Sequence, residues 1–296
     1  MTIEVLSSGP FATVQDLGRR GLAQLGVTES GAADRRSLRL ANRLVGNDEG
    51  AAAIEATMGQ LGVRFETSTV VALTGAPCPV WVGDRAGSMY APMHVRAGEV
   101  LELGVPETGL RTYLAVRGGL DVPSVLGARC TDTLAGLGPP PLRRGTRLPV
   151  GGARVGAVPP IDLAAQAAYP AEMRLRILLG PRDDWFTPEA IAALTGSRYL
   201  VTSECDRVGV RLEGTPLSRR VEEELKSEAT VRGAVQVPPR GQPILFLADH
   251  PVTGGYPVVA VVIEDDLHLV AQARPGQCVS FRVVSAAAGR ARVLAG

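Results

Sequence analysis

The chain has 296 residues, 45% of them hydrophobic, and its 31 basic and 30 acidic residues leave a net charge of +1. This length is enough for two domains or one large β domain with cores of their own. The balanced charge argues against a nucleic-acid-binding protein, and no apolar run reaches the roughly 18 residues of a membrane span. Because the first residues lack the basic start and apolar stretch of a secretion signal, we expect a cytoplasmic protein.

Apolar runs of strand length recur along most of the chain and are separated by turn signals every eight to twelve residues. This rhythm predicts a mainly β protein with a few short helices, built from barrels or sandwiches. The predicted strands are residues 70–73, 80–82, 100–103, 112–116, 174–179, 199–202, 208–212, 244–248, 258–263 and 279–284.

Three short helices interrupt the predicted β pattern. Residues 34–45 place apolar side chains on one face with arginines opposite, and Gly46 supplies a stop. Thr187 is a favourable N-cap, and Pro188 suits the first position of a second helix. A third helix is predicted over residues 218–225, where two apolar residues are spaced i, i+4.

The segment 136–170 is the least regular part of the sequence. Its three consecutive prolines and a later Pro-Pro pair interrupt strands and helices alike. Strand signals resume at Met173. We therefore predict a boundary near residue 165, between domains 1–165 and 166–296.

Polar residues of the first half concentrate in the segment 9–47. Gln15 and Asp16 follow a predicted strand, and Ser30 and Asp34 lead into the first helix. Asp34 either caps that helix or leaves free N–H groups at its start to bind an anion. Gln15 and Asp16 likewise either contact a ligand or complete a loop.

Glu55 is an acidic residue among small apolar ones. A carboxylate in such a setting either pairs with an arginine or has a raised pKa that suits acid–base chemistry. Buried pairing is the more common outcome, and both interpretations remain open at this point.

The segment 233–257 contains nine glycines and prolines around the apolar strand 244–248. Such density predicts unusual backbone paths, and loops of this kind are more often binding sites than connectors. Asp249 ends the strand, where the rim of a barrel would place it. His250 beside it is the best candidate for a general base, although a lone loop histidine is commonly a surface residue.

Several common functional motifs are missing from the sequence. It has no P-loop, no GxGxxG fingerprint and no GxSxG elbow. The four cysteines form no CxxC pair and the three histidines no HxxxH pair, so we predict no metal site.

Four blocks of sequence together are typical of one family. They are GPFATVQDLGRRG with SGAAD and LVGN near the start, YLAVRGGLDVPSVLGARCTDTLAGLG at 113–138, SEATVRGAVQVPPRGQPILFLADHPVTGGYPVVAVV at 227–262, and AQARPGQ at 271–277. With these motifs the chain resembles the 5-oxoprolinase C-subunit family, also described as allophanate hydrolase subunit 2 or KipA-like. That family is related to the carboxyltransferase domain of urea carboxylase and urea amidolyase.

The resemblance implies two cyclophilin-like β-barrel domains and an enzyme that acts on a small-molecule amide. It implies ATP-dependent hydrolysis of 5-oxo-L-proline to L-glutamate, together with a KipI-like B-subunit and an A-subunit. Two alternatives are a KipA-like regulator that binds a KipI-like kinase inhibitor, and a biotin-dependent carboxyl transfer to a urea-like amide.

The family motifs and the polar loops together give a set of candidate site residues. The candidate catalytic residues are Asp16, Glu55, Asp249 and His250. The candidate substrate-binding residues are Gln15, Arg19, Ser30, Asp34, Asn42, Gln236, Gln242, Thr253 and Tyr256. We expect the loops around 15–34 and 236–256 to form a polar cleft near the KipI-like partner. Cys130 stands where the resemblance leads us to expect a serine.

Two cofactors are implied by these activities. Because the chain has no P-loop, ATP is expected at an atypical site or on a partner protein. Lys226, the only lysine, follows Leu225 rather than the methionine of a biotinyl hairpin. We therefore expect no biotin attached to this chain.

Overall fold

The computed structural model describes residues 1–152, 155–166 and 169–285. Within that range the chain divides into two compact units, one of residues 1–21 and 29–169, the other of residues 22–28 and the chain from 170 onward. Strands dominate both units, so the predicted mainly β fold with barrel architecture is confirmed. No helix in the described ranges is long and apolar enough to cross a membrane.

The first unit contains two antiparallel sheets. Its strands are β1 (Thr2–Ser8), β2 (Phe11–Gln15), β3 (Ala53–Thr57), β4 (Leu61–Phe65), β5 (Thr69–Gly75), β6 (Val80–Val82), β7 (Arg85–Ala86), β8 (Pro92–Val95), β9 (Val100–Leu103), β10 (Arg111–Val116) and β11 (Arg147–Pro149). One sheet has the order β11-β1-β4-β9-β6-β7 and the other has the order β2-β3-β10-β5-β8.

The five-stranded sheet of the first unit is buried on both faces. Along β5, Val71 and Leu73 join a core that also contains residues of the six-stranded sheet, whereas Val70 and Ala72 point to the opposite face. This is the two-residue alternation of a strand. Helix α1 (Arg35–Leu44) covers the opposite face with its apolar side. As a result, polar residues on that face lie beneath a helix.

The second unit is built around a closed barrel. Its strands are β12 (Glu172–Leu179), β13 (Tyr199–Val201), β14 (Gly209–Glu213), β15 (Glu228–Ala229), β16 (Ala234–Gln236), β17 (Ile244–Phe246), β18 (Thr253–Gly254), β19 (Val258–Val262) and β20 (Cys278–Val283). Seven strands close the barrel in the order β12-β19-β16-β17-β14-β13-β20, with β12 and β20 paired in parallel. Strands β15 and β18 form a separate antiparallel ribbon.

Two of the three predicted helices are confirmed. Helix α1 begins after Asp34, and helix α2 (Pro188–Gly196) begins after Thr187. In each case the N-cap side chain accepts a hydrogen bond from the backbone N–H three residues later, which satisfies one of the free donors of the first turn.

The predicted helix over residues 218–225 is wrong. Arg219 forms an antiparallel bridge with Phe186, and the backbone N–H groups of Arg220 and Val221 donate to the carbonyl of Trp185. Pairing with a distant segment therefore satisfies the backbone that a helix would have used. A short helix α3 (Leu267–Ala271) is present that the sequence pattern does not predict, and several strands, among them β1, β3, β4, β8 and β11, lie outside the predicted runs.

Candidate functional site

Asp34 caps helix α1 with both of its carboxylate oxygens. Oδ1 accepts from the backbone N–H of Ser37 at 3.0 Å, and Oδ2 accepts from the Ser37 hydroxyl at 2.7 Å. The carboxylate thus occupies the positive end of the helix, where an anion would otherwise be stabilised. Of the two interpretations from the sequence, capping is the one that the geometry supports.

Glu55 lies beneath helix α1, where the pairing of β3 with β10 sets it directly opposite Tyr113. Its Oε2 accepts from the Tyr113 hydroxyl at 2.7 Å and from the Ala33 backbone N–H at 2.9 Å. The Arg111 guanidinium lies 3.6 Å from Oε1. The Tyr113 oxygen in turn accepts from the Asp34 backbone N–H at 2.7 Å. Glu55 therefore connects the sheet to the start of the helix.

Burial raises the pKa of the Tyr113 hydroxyl well above its ordinary value, and the charges of Glu55 and Asp34 raise it further. The tyrosine consequently stays protonated and donates to Glu55 throughout the neutral range.

Asp16 joins two loops of the first unit. Its Oδ1 accepts from the Gly18 backbone N–H at 2.8 Å, and its Oδ2 accepts from the Arg129 backbone N–H at 2.6 Å. Charge-assisted bonds of this kind are strong and geometrically specific. Both oxygens of this candidate catalytic carboxylate therefore hold backbone in place.

Arg19 extends from the same loop into a buried contact with Cys130. Its Nη1 lies 3.0 Å from the Cys130 sulfur, and its Nη2 donates to the Cys130 carbonyl at 2.6 Å. Burial, and next the neighbouring Asp16 charge, raise the pKa of the Cys130 thiol to about 12. A thiol in this state is a poor nucleophile, which favours a structural role for the cysteine that stands in the expected serine position.

Gln15 and Ser30 meet at a third buried position of this unit. The Gln15 side-chain amide donates to the Thr13 hydroxyl and to the Thr131 carbonyl, each at 2.9 Å. The Ser30 hydroxyl lies 3.4 Å from the same carbonyl. Gln15 Oε1 is buried, and no described residue donates to it.

Asn42 shapes the turn that follows helix α1. Its amide donates to the carbonyls of Glu49 and Ala51, while its oxygen accepts from Asn47 at 3.0 Å. Asn47 also donates to the Val116 carbonyl. The pair of asparagines is thus committed to backbone and to each other.

In the second unit, Asp249 is fully buried in an ion pair with Arg207. Its Oδ2 lies 2.9 Å from Arg207 Nε and its Oδ1 lies 3.0 Å from Nη2, which is the bidentate arrangement of a carboxylate on a guanidinium. The Arg207 and Asp249 side chains are only 2% and 0% exposed. The Asp249 backbone N–H also donates to the Arg207 carbonyl. Asp249 therefore ties the end of β17 to the segment before β14.

His250 is buried against Phe246, with the two rings stacked 5.8 Å apart. Its Nδ1 lies 2.8 Å from the Pro251 carbonyl and 3.3 Å from the Thr230 hydroxyl. Because a carbonyl only accepts, this contact is a hydrogen bond when Nδ1 carries the proton, so that Nε2 holds the lone pair of the neutral ring. That tautomer is the one required of a base acting through Nε2.

The remaining candidates of this unit surround the ribbon of β15 and β18. Gln236 donates from Nε2 to the Tyr256 carbonyl at 2.9 Å. Thr253 is exposed on β18, and Tyr256 is 45% exposed. The guanidinium carbon of Arg219 lies 6.0 Å from the centre of that ring. Gln242 lies apart from the ribbon, where its amide exchanges two hydrogen bonds with the Gly214 backbone.

Three residues at these positions have no sequence signal that identifies them. Arg207, Tyr113 and Arg219 contact candidate residues that are between 37 and 58 positions away in the chain. Arginine beside an acid within a few residues is a recognisable pattern, but partners at such separations follow only from strand register.

Comparison with known proteins gives a match over most of the chain. Residues 25–283 match the family described as carboxyltransferase domain, subdomain A and B. The C-subunit of 5-oxoprolinase from Escherichia coli (strain K12) is 40% identical, over 94% of this chain and 90% of that protein.

Solved structures support the same relationship. TTHA0988 superposes with a TM-score of 0.86 at 35% identity, covering 95% of this chain and 56% of the other. The urea amidolyase of K. lactis superposes with a TM-score of 0.89 at 29% identity, covering 98% of this chain and 19% of the other. The chain thus spans just over half of TTHA0988 and about a fifth of that urea amidolyase. The resemblance to the 5-oxoprolinase C-subunit is confirmed, and the chain belongs to the carboxyltransferase domain family, subdomain A and B.

Proposed function

We propose that the chain is one component of an ATP-dependent 5-oxoprolinase, which hydrolyses the cyclic amide of 5-oxo-L-proline to L-glutamate. It acts together with a KipI-like B-subunit and an A-subunit. The similarity to a 5-oxoprolinase C-subunit carries this proposal, because it extends over nearly the whole length of both proteins at 40% identity.

His250 is the general base or acid of the proposed reaction. Amide hydrolysis requires a proton to move between water and the leaving nitrogen, and a positioned imidazole does this near neutral pH. The Pro251 carbonyl contact at Nδ1 orients the ring, and Nε2 exchanges the proton. Phe246 stacks on the ring and restricts its rotation.

The three candidate carboxylates act on the site through positioning in this proposal. Asp16 and Glu55 already accept hydrogen bonds from backbone N–H groups, and Asp249 is paired with Arg207. Each therefore holds a loop rather than a substrate atom. Six further candidates have the same positioning role, because their side chains bond to backbone groups or to Ser37. They are Gln15, Arg19, Ser30, Asp34, Asn42 and Gln242.

Substrate contact is assigned to the ribbon of the second unit. Thr253 supplies an exposed hydroxyl, and Tyr256 supplies an aromatic face for a small ring. Gln236 orients Tyr256 through its carbonyl. ATP supplies the activation of the amide, and we place it at an atypical site or on a partner protein, with no biotin attached to this chain.

Reconstitution with the two partner proteins tests the proposed function. We expect 5-oxoproline-dependent ADP and glutamate formation that disappears when this chain is left out. Replacing His250→Gln is expected to lower kcat roughly 10²- to 10⁴-fold, as loss of a general base does. The matched control is His94→Gln, at an exposed position of β8 in the first unit. A complete complex that hydrolyses no ATP in response to 5-oxoproline would contradict the proposal.

A second candidate function is carboxyl transfer to a urea-like amide. The family description and the TM-score of 0.89 to K. lactis urea amidolyase favour it. This alternative predicts that a biotinylated carrier protein, bicarbonate and ATP give a carboxylated amide product only when this chain is present. Product analysis with ¹³C-bicarbonate separates it from hydrolysis, which incorporates no label.

A further inference from the structure

Arg219 in the second unit is half-buried and lacks an acidic partner within the described ranges. Its Nη2 donates to the Val237 carbonyl at 2.5 Å, while Nε is buried and receives no acceptor from any described residue. Three other arginines of this unit that lose exposure do pair with carboxylates, namely Arg176 with Asp266, Arg182 with Glu228 and Arg207 with Asp249. Arg219 therefore has no carboxylate partner among the described residues.

The backbone fixes Arg219 in this position. The Arg219 backbone forms an antiparallel bridge with Phe186. On either side of it, the Thr187 N–H donates to the Ser218 carbonyl and the Arg220 N–H donates to the Trp185 carbonyl. This pairing fixes the backbone at Arg219, and the hydrogen bond from Nη2 to the Val237 carbonyl holds the guanidinium itself. Burial also lowers the pKa of the Arg219 guanidinium from its ordinary value, although the group stays charged at neutral pH.

Tyr256 forms one wall beside this guanidinium. Its ring centre lies 6.0 Å from the Arg219 guanidinium carbon, and its backbone carbonyl is held by Gln236 at 2.9 Å. The residue as a whole is 45% exposed. A half-buried guanidinium without an acidic partner among the described residues, beside a partly exposed tyrosine, fits a small ring that carries a carboxylate, since guanidinium and carboxylate are geometrically complementary.

We propose that Arg219 binds the carboxylate of the substrate while Tyr256 contacts its ring. This inference rests on the proposed function and deepens it, because 5-oxoproline differs from the plain lactam 2-pyrrolidinone by a single carboxylate. Arg219 is then the residue that makes the site select an amino-acid-derived lactam.

Steady-state kinetics of the reconstituted complex test the assignment. Arg219→Gln is expected to raise KM for 5-oxoproline roughly 10- to 100-fold with a smaller change in kcat, as loss of a charge-assisted hydrogen bond does. Arg219→Lys, which keeps the charge, is expected to recover part of the loss. The matched control is Arg220→Gln, which removes the same charge one residue away, where the side chain is exposed and, within the described part of the chain, bonds to the Asp184 carbonyl alone. Equal KM values for the Arg219→Gln and Arg220→Gln variants would overturn the assignment.

A binding experiment on the full chain separates this inference from the proposed function. The Nε–H resonance of Arg219, assigned by its loss in Arg219→Lys, is followed by NMR during titration with 5-oxoproline, proline and 2-pyrrolidinone. We expect the two carboxylates to shift it and the uncharged lactam to leave it unchanged. If the complex hydrolyses no 5-oxoproline but this selective shift is seen, the proposed function fails and the carboxylate site stands. If neither carboxylate shifts the resonance, the carboxylate site is wrong.

Discussion

At the scale of single residues, two buried acids of this protein, Asp249 and Glu55, are held by partners far away in the sequence. Asp249 pairs with Arg207, and Glu55 pairs with Tyr113 and Arg111. Removing one member of a buried ion pair leaves the other without compensation, whereas removing both replaces a costly desolvation by apolar packing. The two changes therefore have different expected effects on stability.

We expect Asp249→Ala to lower the free energy of unfolding by about 3–5 kcal/mol, because the buried Arg207 charge then loses its bidentate carboxylate partner. The double variant Arg207→Met with Asp249→Leu is expected to recover most of this loss. Urea unfolding followed by circular dichroism measures both. Glu213→Ala, at an exposed position of β14, serves as control and should change stability by less than about 0.5 kcal/mol. An Asp249→Ala variant as stable as this control would show that the ion pair contributes little.

For Glu55 and Asp249 the sequence indicates apolar surroundings but not which residues they contact. Glu55 stands among alanines, which already indicates burial, and Asp249 ends a strongly apolar strand. Their partners depend on which strands are neighbours and in what register, as the pairing of Glu55 with Tyr113 shows. Such pairing is a property of the folded sheet, and single-chain periodicity carries no information about it.

At the scale of elements, local signals predict structure well where the backbone hydrogen bonds of a segment are made by residues of the same segment. Helices α1 and α2 begin at side-chain caps that can be read from Asp34 and Thr187. The segment 218–225 has helix-like apolar spacing, but its backbone pairs with residues 185–187 instead. Elements without such local signals depend on tertiary contacts, and the short helix α3 and the strands β1, β3, β4 and β11 are accordingly absent from the sequence prediction.

In the turn after β10, two backbone segments approach each other so closely that one position requires glycine. Gly118 has a φ of +98°, and a Cβ atom there would lie 2.1 Å from the Gly151 carbonyl oxygen. Gly127 has a similar φ of +82° but open space around it. We expect Gly127→Ala to cost about 1 kcal/mol for backbone strain alone. Gly118→Ala should cost roughly 2 kcal/mol more, because the carbonyl must move.

Thermal unfolding of the two glycine variants measures the difference. Because both carry the same substitution at positive φ, the backbone contribution cancels and the steric contribution remains. Equal melting temperatures would show that the Gly118 turn can relax without loss, and that the close approach to Gly151 is not what requires glycine there.

At the scale of the whole molecule, the composition allows stability at alkaline pH to report on the buried tyrosines and cysteines. The chain has 30 arginines but only one lysine, so few basic groups titrate between pH 9 and 12. Burial raises the pKa of four of the five tyrosines. The pKa values of Tyr90 and Tyr199 rise to about 12, and those of Tyr113 and Tyr169 are also raised well above the ordinary value. Burial also raises the pKa of the Cys78 thiol to about 11 and that of Cys130 to about 12.

We therefore expect the free energy of unfolding to fall steadily above about pH 9. Each of these groups has a higher pKa in the folded chain than its ordinary value of 9.0 for cysteine or 10.0 for tyrosine. The unfolded chain consequently loses protons first, and the stabilisation present at lower pH is lost as pH rises toward the folded values. Urea midpoints measured from pH 8 to 11.5 report this loss. Tyrosinate absorbance at 295 nm should increase together with unfolding, and a Tyr113→Phe variant should show a shallower fall. If four tyrosines ionised near pH 10 while circular dichroism stayed native, their burial in the folded protein would be disproved.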